Sequence, residues 1–121
     1  MIEPATIAEH YIAVWNELDS GRRRALLAST WTEHATYVDP LAQGRGHDEI
    51  DALIGAVQAR FPGFRFTLSG KADGYGDKVR FSWALGPDSD KEMIKGTDFA
   101  TLEGGRLKSV TGFLDKVPAG A

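Results

Sequence analysis

The sequence of 121 residues contains no cysteine, and this absence excludes several classes of protein. A disulfide-stabilised scaffold, a thiolate nucleophile and a zinc site with thiolate ligands all require cysteine. No apolar run reaches the roughly 18 residues that suggest a membrane-spanning helix. The chain begins Met1-Ile-Glu-Pro, without the basic-then-apolar order of a signal peptide. We therefore expect a soluble, cytoplasmic protein with no membrane partner.

Positive charge is also scarce. The chain carries 14 Lys and Arg against 17 Asp and Glu, a net charge of −3, so we expect no nucleic-acid partner. The basic run at residues 22–24 is more typical of a solvated helix face. His10, His34 and His47 lie on different predicted elements without metal-ligand spacing. Gly44-Arg45-Gly46 lacks the third glycine of a dinucleotide-binding motif. We expect neither a metal nor a cofactor.

Glycine, in contrast, is abundant. It accounts for 14 of the 121 residues, nearly twice the usual share of roughly 7%. Two glycines, Gly96 and Gly112, interrupt predicted strands, where we expect them to bend the sheet around the helices; tolerated small residues are the alternative interpretation. The ordinary apolar and charged fractions predict a single domain over residues 1–121, with residues 117–121 as a loose tail.

The first half of the chain has mainly helical periodicity. Three helices are predicted, at residues 5–18, 22–30 and 48–61. A short strand at residues 33–39 lies between the second and third helices and stops at Pro40. Residues 41–46 read as a loop.

From residue 64 onward the apolar period changes to two. Further strands are predicted at residues 64–69, 78–85, 92–102 and 106–115. Gly104-Gly105 makes a hairpin between the last two. This order predicts an α+β fold, a cone-shaped roll in which a curved, mostly antiparallel sheet wraps around three helices. Such a sheet encloses a hollow, which is the usual place for a small-molecule site.

Three polar side chains stand where this hollow is expected. Asp39 ends the early strand, on the face that also carries Tyr37. Asp98 lies in an apolar row of a later strand, where burial would raise its pKa toward the range that suits proton transfer. Tyr11 lies on the apolar stripe of the first helix. We take Asp39, Asp98 and Tyr11 as candidate catalytic residues.

Aromatic side chains are the candidate ligand-binding residues: Trp15, Tyr37, Phe61, Phe66, Phe81, Trp83 and Phe113.

Each catalytic candidate also has a purely structural interpretation. Asp39, which precedes a proline, could bond its own backbone in a turn. Asp98 could pair with Arg80 or Lys95. Aromatic residues at helical spacing are more often core than catalytic.

The order of elements, the stretch Ala35-Thr-x-x-Asp39-Pro40, and Tyr11 with Asn16 resemble the nuclear transport factor 2-like superfamily. Within it, the chain is most similar to the polyketide-cyclase-like and ketosteroid-isomerase-like branch. The resemblance covers nearly the whole chain and implies a homodimer through the outer sheet face. It also implies Asp39 as a base and Tyr11 as an oxyanion donor.

The resemblance departs from the isomerase pattern at the second acid. The isomerase acid position falls on Thr97, and Asp98 comes one residue later. Because side chains alternate along a strand, this offset sends Asp98 to the opposite face from the isomerase acid. Polyketide-cyclase-like members use a cavity acid on this late strand, and Asp98 matches that arrangement instead.

Three functions are compatible with these patterns. The first is a cofactor-independent enzyme, isomerase-like or cyclase-like, that acts on a small apolar carbonyl compound by proton transfer. Asp39 or Asp98 would act as the base, and Tyr11 or Tyr37 would stabilise the oxyanion. The second is a non-catalytic module that binds a small apolar ligand. The third is an assembly module whose pocket is filled by aromatic side chains, which a cavity of a few hundred cubic ångströms would contradict.

Overall fold

The computed structural model describes residues 3–118. The three helices are α1 (Pro4–Asn16), α2 (Ser20–Thr30) and α3 (Gly46–Arg60). The strands are β1 (Trp31–Val38), β2 (Gln43–Arg45), β3 (Arg65–Tyr75), β4 (Lys78–Gly86), β5 (Ile94–Glu103) and β6 (Arg106–Lys116). They form one sheet in the order β2-β1-β6-β5-β4-β3, in which only the β1–β6 pair is parallel. The predicted α+β fold, three helices against a curved and mostly antiparallel sheet, is confirmed.

The largest differences from the predicted strands are at β2 and β3, while the other strand ends differ by one or two residues. β2 occupies residues 43–45, which the periodicity assigned to a loop, because three residues are too few to show an alternating pattern. β3 continues to Tyr75, beyond the predicted end at residue 69. A register shift between Ser69 and Asp73 interrupts the alternation that marks a strand. At the other end of the chain, residues 117 and 118 have no regular structure, and residues 119–121 of the predicted tail lie outside the described residues.

Helix α1 lies along β3 because one polar side chain joins their backbones. The Asn16 amide donates from Nδ2 to the Phe66 carbonyl at 2.9 Å, and its Oδ1 accepts from the Phe66 amide at 2.8 Å. Both polar groups of Phe66 are thereby satisfied next to the core. These two hydrogen bonds help to fix the rotation of α1 about its own axis, with Tyr11 and Trp15 buried against the sheet.

A buried arginine joins the three helices. Arg23 donates from Nε to Asp51 Oδ1 at 2.6 Å, and from Nη1 to Gln58 Oε1 at 2.7 Å and to the Glu17 carbonyl at 3.0 Å. Gln58 Nε2 also donates to the carbonyls of Trp15 and Glu17. The last carbonyls of α1, which have no partner within the helix, are satisfied in this way.

The two strand glycines are needed because other groups approach closely. A β-carbon on Gly96 would lie 2.2 Å from the indole of Trp83, and a register shift between residues 95 and 96 accompanies it. A β-carbon on Gly112 would lie 2.8 Å from Asp98 Oδ1 and 3.3 Å from Asp39 Cβ. The β5–β6 register is regular through Gly112, so no bulge accompanies the bend expected there. Gly112 instead leaves room for two carboxylates.

None of the helices within residues 3–118 is both long and apolar enough to cross a membrane.

Candidate functional site

A cavity of about 620 Å³ lies between the helices and the inner face of the sheet. This volume is typical of a small-molecule site and argues against a pocket filled by aromatic side chains. Much of its wall is apolar and includes Leu53, Val57, Phe61, Phe66, Leu85 and Ile94. Its polar lining includes two tyrosines and two aspartates, Tyr11, Tyr37, Asp39 and Asp98. They form two hydrogen-bonded pairs, one on each carboxylate.

Asp98 is the most deeply buried acid of the site, with 1% of its surface exposed. Its Oδ2 accepts a 2.6 Å hydrogen bond from the Tyr11 hydroxyl. Its Oδ1 has no hydrogen-bond partner within residues 3–118. Burial raises the pKa of Asp98 to about 6, although the bond from Tyr11 acts in the opposite direction. The carboxyl therefore titrates close to neutral pH.

The ion pairs considered for Asp98 do not form. Arg80 pairs with Asp73 at 3.2 Å, and Lys95 lies 3.9 Å from Glu92. The neighbouring Thr97 lies on the opposite face of β5, where its hydroxyl donates to the exposed Asp115. Asp98, and not Thr97, is therefore the residue at this point of β5 that lines the cavity.

The Asp39 side chain accepts hydrogen bonds from the turn that follows it and also lines the cavity. Its Oδ1 accepts from the backbone amides of Leu41 and Ala42, both at 2.8 Å. Its Oδ2 accepts from the Tyr37 hydroxyl at 2.6 Å. The turn interpretation and the cavity interpretation both hold, since three donors fix this carboxylate at the border of the cavity.

Both tyrosine hydroxyls are held as neutral donors. Burial, followed by the charge of Asp98, raises the pKa of Tyr11 well above its ordinary value. The same two causes, in the same order, raise the pKa of Tyr37. While Asp98 is ionised, the Tyr11 hydroxyl is committed to that carboxylate. It becomes available to a ligand oxygen only when that bond is released.

The aromatic residues predicted to bind a ligand differ in whether they border the cavity. Trp15, Phe61, Phe66 and Trp83 border the cavity together with Tyr37. The indole Nε1 of Trp15 is buried and has no hydrogen-bond partner in the described part of the chain.

The other two aromatic candidates lie elsewhere. Phe81 does not border the cavity; it is buried in the core with its ring centroid 4.9 Å from that of Tyr11. Phe113 touches the cavity boundary, but its side chain is 53% exposed. The rings of Phe113 and Phe99 stack edge to face at 5.7 Å. Strand alternation explains this, since the adjacent Gly112 is buried on the inner face.

Sequence reasoning missed the wall contributed by α3. This wall consists of Glu49, Ala52, Leu53, Ala56, Val57 and Arg60. Their helical spacing of three and four residues was visible in the sequence, but the same spacing equally describes a stripe packed in the core. Within residues 3–118, no group of His, Asp and Glu is arranged to hold a metal ion.

The comparisons with known proteins agree with this architecture. The family model of the SnoaL-like domain matches residues 8–110. A candidate isomerase of the SnoaL-like family from Agrobacterium tumefaciens strain C58 is 46% identical, with a TM-score of 0.90 over 95% of this chain and 99% of that chain. No curated protein matches the chain.

Two more distant structures share the fold. A candidate ketosteroid isomerase from Kribbella flavida is 18% identical, with a TM-score of 0.70 over 98% of this chain and 82% of that chain. A candidate polyketide cyclase from Sinorhizobium meliloti is 16% identical, with a TM-score of 0.70 over 92% of this chain and 99% of that chain. Since the family match spans residues 8–110, the chain belongs to the SnoaL-like domain family, and its fold is that of the nuclear transport factor 2-like proteins.

Proposed function

We propose that the protein is a cofactor-independent acid–base enzyme, isomerase-like or cyclase-like, that acts on a small and largely apolar carbonyl compound. Asp98 carries the proposal. It is a carboxyl in an apolar cavity, with one oxygen free of hydrogen bonds within residues 3–118 and a pKa of about 6. Near neutral pH such a group can accept a proton and return it. The 46% identity to a candidate isomerase is consistent with this chemistry.

In this mechanism the ionised Asp98 removes a proton from the carbon next to the substrate carbonyl. The C–H bond breaks, its electron pair moves toward the carbonyl oxygen, and an enolate forms. Where the substrate carries a carbon–carbon double bond beside that carbon, the enolate is a dienolate, and protonated Asp98 returns the proton to its far carbon; the double bond shifts, which completes an isomerisation. In a cyclase-like reaction, the enolate carbon instead attacks a second carbonyl of the same molecule. The carbon–carbon bond forms, the π bond of that carbonyl breaks, and its oxygen takes the proton from Asp98.

The Tyr11 hydroxyl donates a hydrogen bond at both stages of this proton transfer, first to Asp98 and then to the enolate oxygen. Its hydroxyl donates to Asp98 while the carboxylate is charged. When Asp98 takes up the proton, the negative charge moves to the enolate oxygen, which becomes the stronger acceptor. The Tyr11 hydroxyl then stabilises the enolate, because a donor already placed in the cavity needs little reorganisation.

Asp39 fits an orienting role better than that of the base. Both of its oxygens already accept hydrogen bonds, from two backbone amides and from Tyr37. Asp98, in contrast, has one oxygen without a hydrogen-bond partner within residues 3–118, and this oxygen can meet a substrate proton without breaking a contact. We therefore assign proton transfer to Asp98, and to Asp39 the positioning of the Tyr37 hydroxyl.

Hydrogen–deuterium exchange at carbon tests the proposal without knowledge of the product. A panel of cyclic ketones and β-diketones is incubated with the protein in D₂O, and exchange beside the carbonyl is followed by NMR. Asp98→Asn should lower the enzyme-dependent rate at least about 100-fold, with folding retained. Asp88→Asn, at an exposed loop position, is the matched control and should leave the rate unchanged. Equal rates in wild type and Asp98→Asn would contradict the proposal.

A non-catalytic binding module is the second candidate. It is favoured by the hydrogen bonds that pair both carboxylates with tyrosine hydroxyls. A thermal-shift screen of small apolar carbonyl compounds separates the two, since a bound ligand raises the unfolding temperature by mass action. Compounds that bind but never exchange or react would support the binding module.

We also propose a homodimer through the outer face of the sheet. Phe99 and Phe113 are 45% and 53% exposed there, and their rings form an adjacent apolar pair at 5.7 Å. Exposed aromatic pairs are typical of interfaces. Size-exclusion chromatography with light scattering should give a dimer at micromolar concentration, and Phe113→Ser should weaken it. Wild-type protein that elutes as a monomer would contradict this.

A further inference from the structure

The wall that α3 contributes to the cavity has charged ends and an apolar centre. Glu49 stands at one end and Arg60 at the other, with Ala52, Leu53, Ala56 and Val57 between them. Arg60 comes eleven positions after Glu49, which corresponds to about 16 Å along a helix. The cavity is therefore bordered by a long helical wall on which opposite charges stand well apart.

The acidic side chains of this cavity accept hydrogen bonds from other residues, and Arg60 differs from them in this respect. Glu49 Oε1 accepts from the Arg45 amide at 2.9 Å, and both Asp39 and Asp98 accept hydrogen bonds. Arg60 is exposed, and none of the ion pairs among residues 3–118 involves its guanidinium. Its carbon lies 5.6 Å from the centre of the Phe61 ring, an arrangement that leaves the edge of its nitrogens free.

Arg60 also lies far from the proton-transfer end. Glu49 is next to β2, since a β-carbon on Gly44 would lie 3.4 Å from its backbone. β2 pairs with the end of β1, where Asp39 follows. A β-carbon on Gly112 would lie within 3.3 Å of both Asp39 Cβ and Asp98 Oδ1, so the proposed base lies at this end too. Arg60, three helical turns away, stands at the opposite end of the α3 wall, so a ligand that reaches both ends must be elongated.

We infer that the ligand is an elongated apolar molecule with an anionic group, a carboxylate, that pairs with Arg60 at the cavity border. The assignment of its carbonyl to Asp98 rests on the proposed function, whereas the anion site does not. A planar guanidinium suits a carboxylate, because two parallel N–H groups can donate to its two oxygens. The apolar centre of the wall then contacts the body of the ligand.

A pair of fluorescent probes isolates the anionic group. 1-Anilinonaphthalene-8-sulfonate and N-phenyl-1-naphthylamine have the same aromatic skeleton and differ by one sulfonate, and both brighten in apolar cavities. Arg60→Gln should weaken the sulfonate probe about three- to tenfold, in line with the loss of one partly exposed ion pair. The uncharged probe should change less than about twofold. Arg60→Lys, which retains the charge, should recover part of the affinity, and decanoate should compete better than decanol.

Arg65→Gln is the matched control, because this exposed arginine lies on β3 and does not border the cavity. It should leave both probes unaffected. Equal effects of Arg60→Gln on both probes, or no effect on either, would overturn the inference. A lower unfolding temperature with unchanged sulfonate binding would assign Arg60 only to the C-terminal end of α3, where a cation favours the helix dipole. Binding needs no turnover, so wild-type protein that discriminates the probes but catalyses no carbon–deuterium exchange would refute the enzyme and leave the anion site standing.

Discussion

The substitution Asp98→Asn should make the protein more stable at neutral pH. Burial raises the pKa of Asp98 from 3.8 to about 6, so the folded state binds this proton more tightly than the unfolded state does. The stabilisation from the protonated carboxyl is fully present below about pH 4 and is lost as the pH rises through about 6. Asparagine carries no charge at any of these pH values, and its amide oxygen can still accept from Tyr11.

The size of the effect follows from the shift. Roughly two pKa units at about 1.36 kcal/mol each correspond to about 3 kcal/mol. The full amount applies because Asp98 is only 1% exposed, so solvent screening is small. Against a total stability of roughly 5–15 kcal/mol for a domain, this is a large gain. A gain in stability on substitution is expected where the wild-type protein keeps a functional group that destabilises its folded state.

Urea unfolding of wild type and Asp98→Asn at pH 4, 5, 6, 7 and 8 measures this directly. The difference in the free energy of unfolding should favour the variant by about 3 kcal/mol more at pH 8 than at pH 4, with most of the change between pH 4 and 6. Subtracting the wild-type free energy of unfolding from that of the variant at each pH removes the contribution of the other titrating groups. Asp88→Asn, at an exposed position, is the matched control for loss of a carboxylate and should not show the gain of about 3 kcal/mol. Parallel curves for wild type and Asp98→Asn would refute the reasoning.

Three other variants test the remaining contacts. Gly112→Ala would place a β-carbon 2.8 Å from Asp98 Oδ1, so carbon–deuterium exchange should fall at least about tenfold, by displacement of the proposed base. Tyr11→Phe removes a hydrogen bond that lowers the pKa of Asp98, so the pH midpoint of exchange should rise above about 6. Arg23→Met breaks the buried contact with Asp51 at 2.6 Å, and urea unfolding should show a loss of about 3 kcal/mol.

Each of these three has a decisive contrary result. An unchanged exchange rate in Gly112→Ala, with folding retained, would mean that the position of Asp98 does not matter. A midpoint that moves down in Tyr11→Phe would reverse the sign assigned to that bond. If Arg23→Met is as stable as wild type, the three helices are held together by apolar packing alone. Arg24→Met, at a half-exposed position of α2, is the control and should cost under about 1 kcal/mol.

Periodicity alone was sufficient to orient the side chains at several decisive positions. Asp98 stands in a row with Gly96 and Ala100, and alternation places all three on the buried face of β5. Tyr11 and Trp15, one helical turn apart, share the buried side of α1. These inferences are local, because the direction of a side chain follows from the geometry of its own helix or strand.

Contacts between distant elements were beyond such reasoning. Phe66 and Phe81 have the same alternating pattern, yet only Phe66 borders the cavity while Phe81 is covered by Tyr11. The pattern shows that a face is buried but not whether protein or empty space lies opposite.

The sequence by itself determined the fold class, the order of elements and the burial of an acid in the sheet, because these depend on short-range periodicity. The tertiary structure alone decided the pairing of Tyr11 with Asp98 across 87 residues. It also decided the role of Gly112 beside two carboxylates and the position of Arg60 at the cavity border. Such contacts depend on how separate elements pack in three dimensions, and no local pattern in the chain encodes those distances.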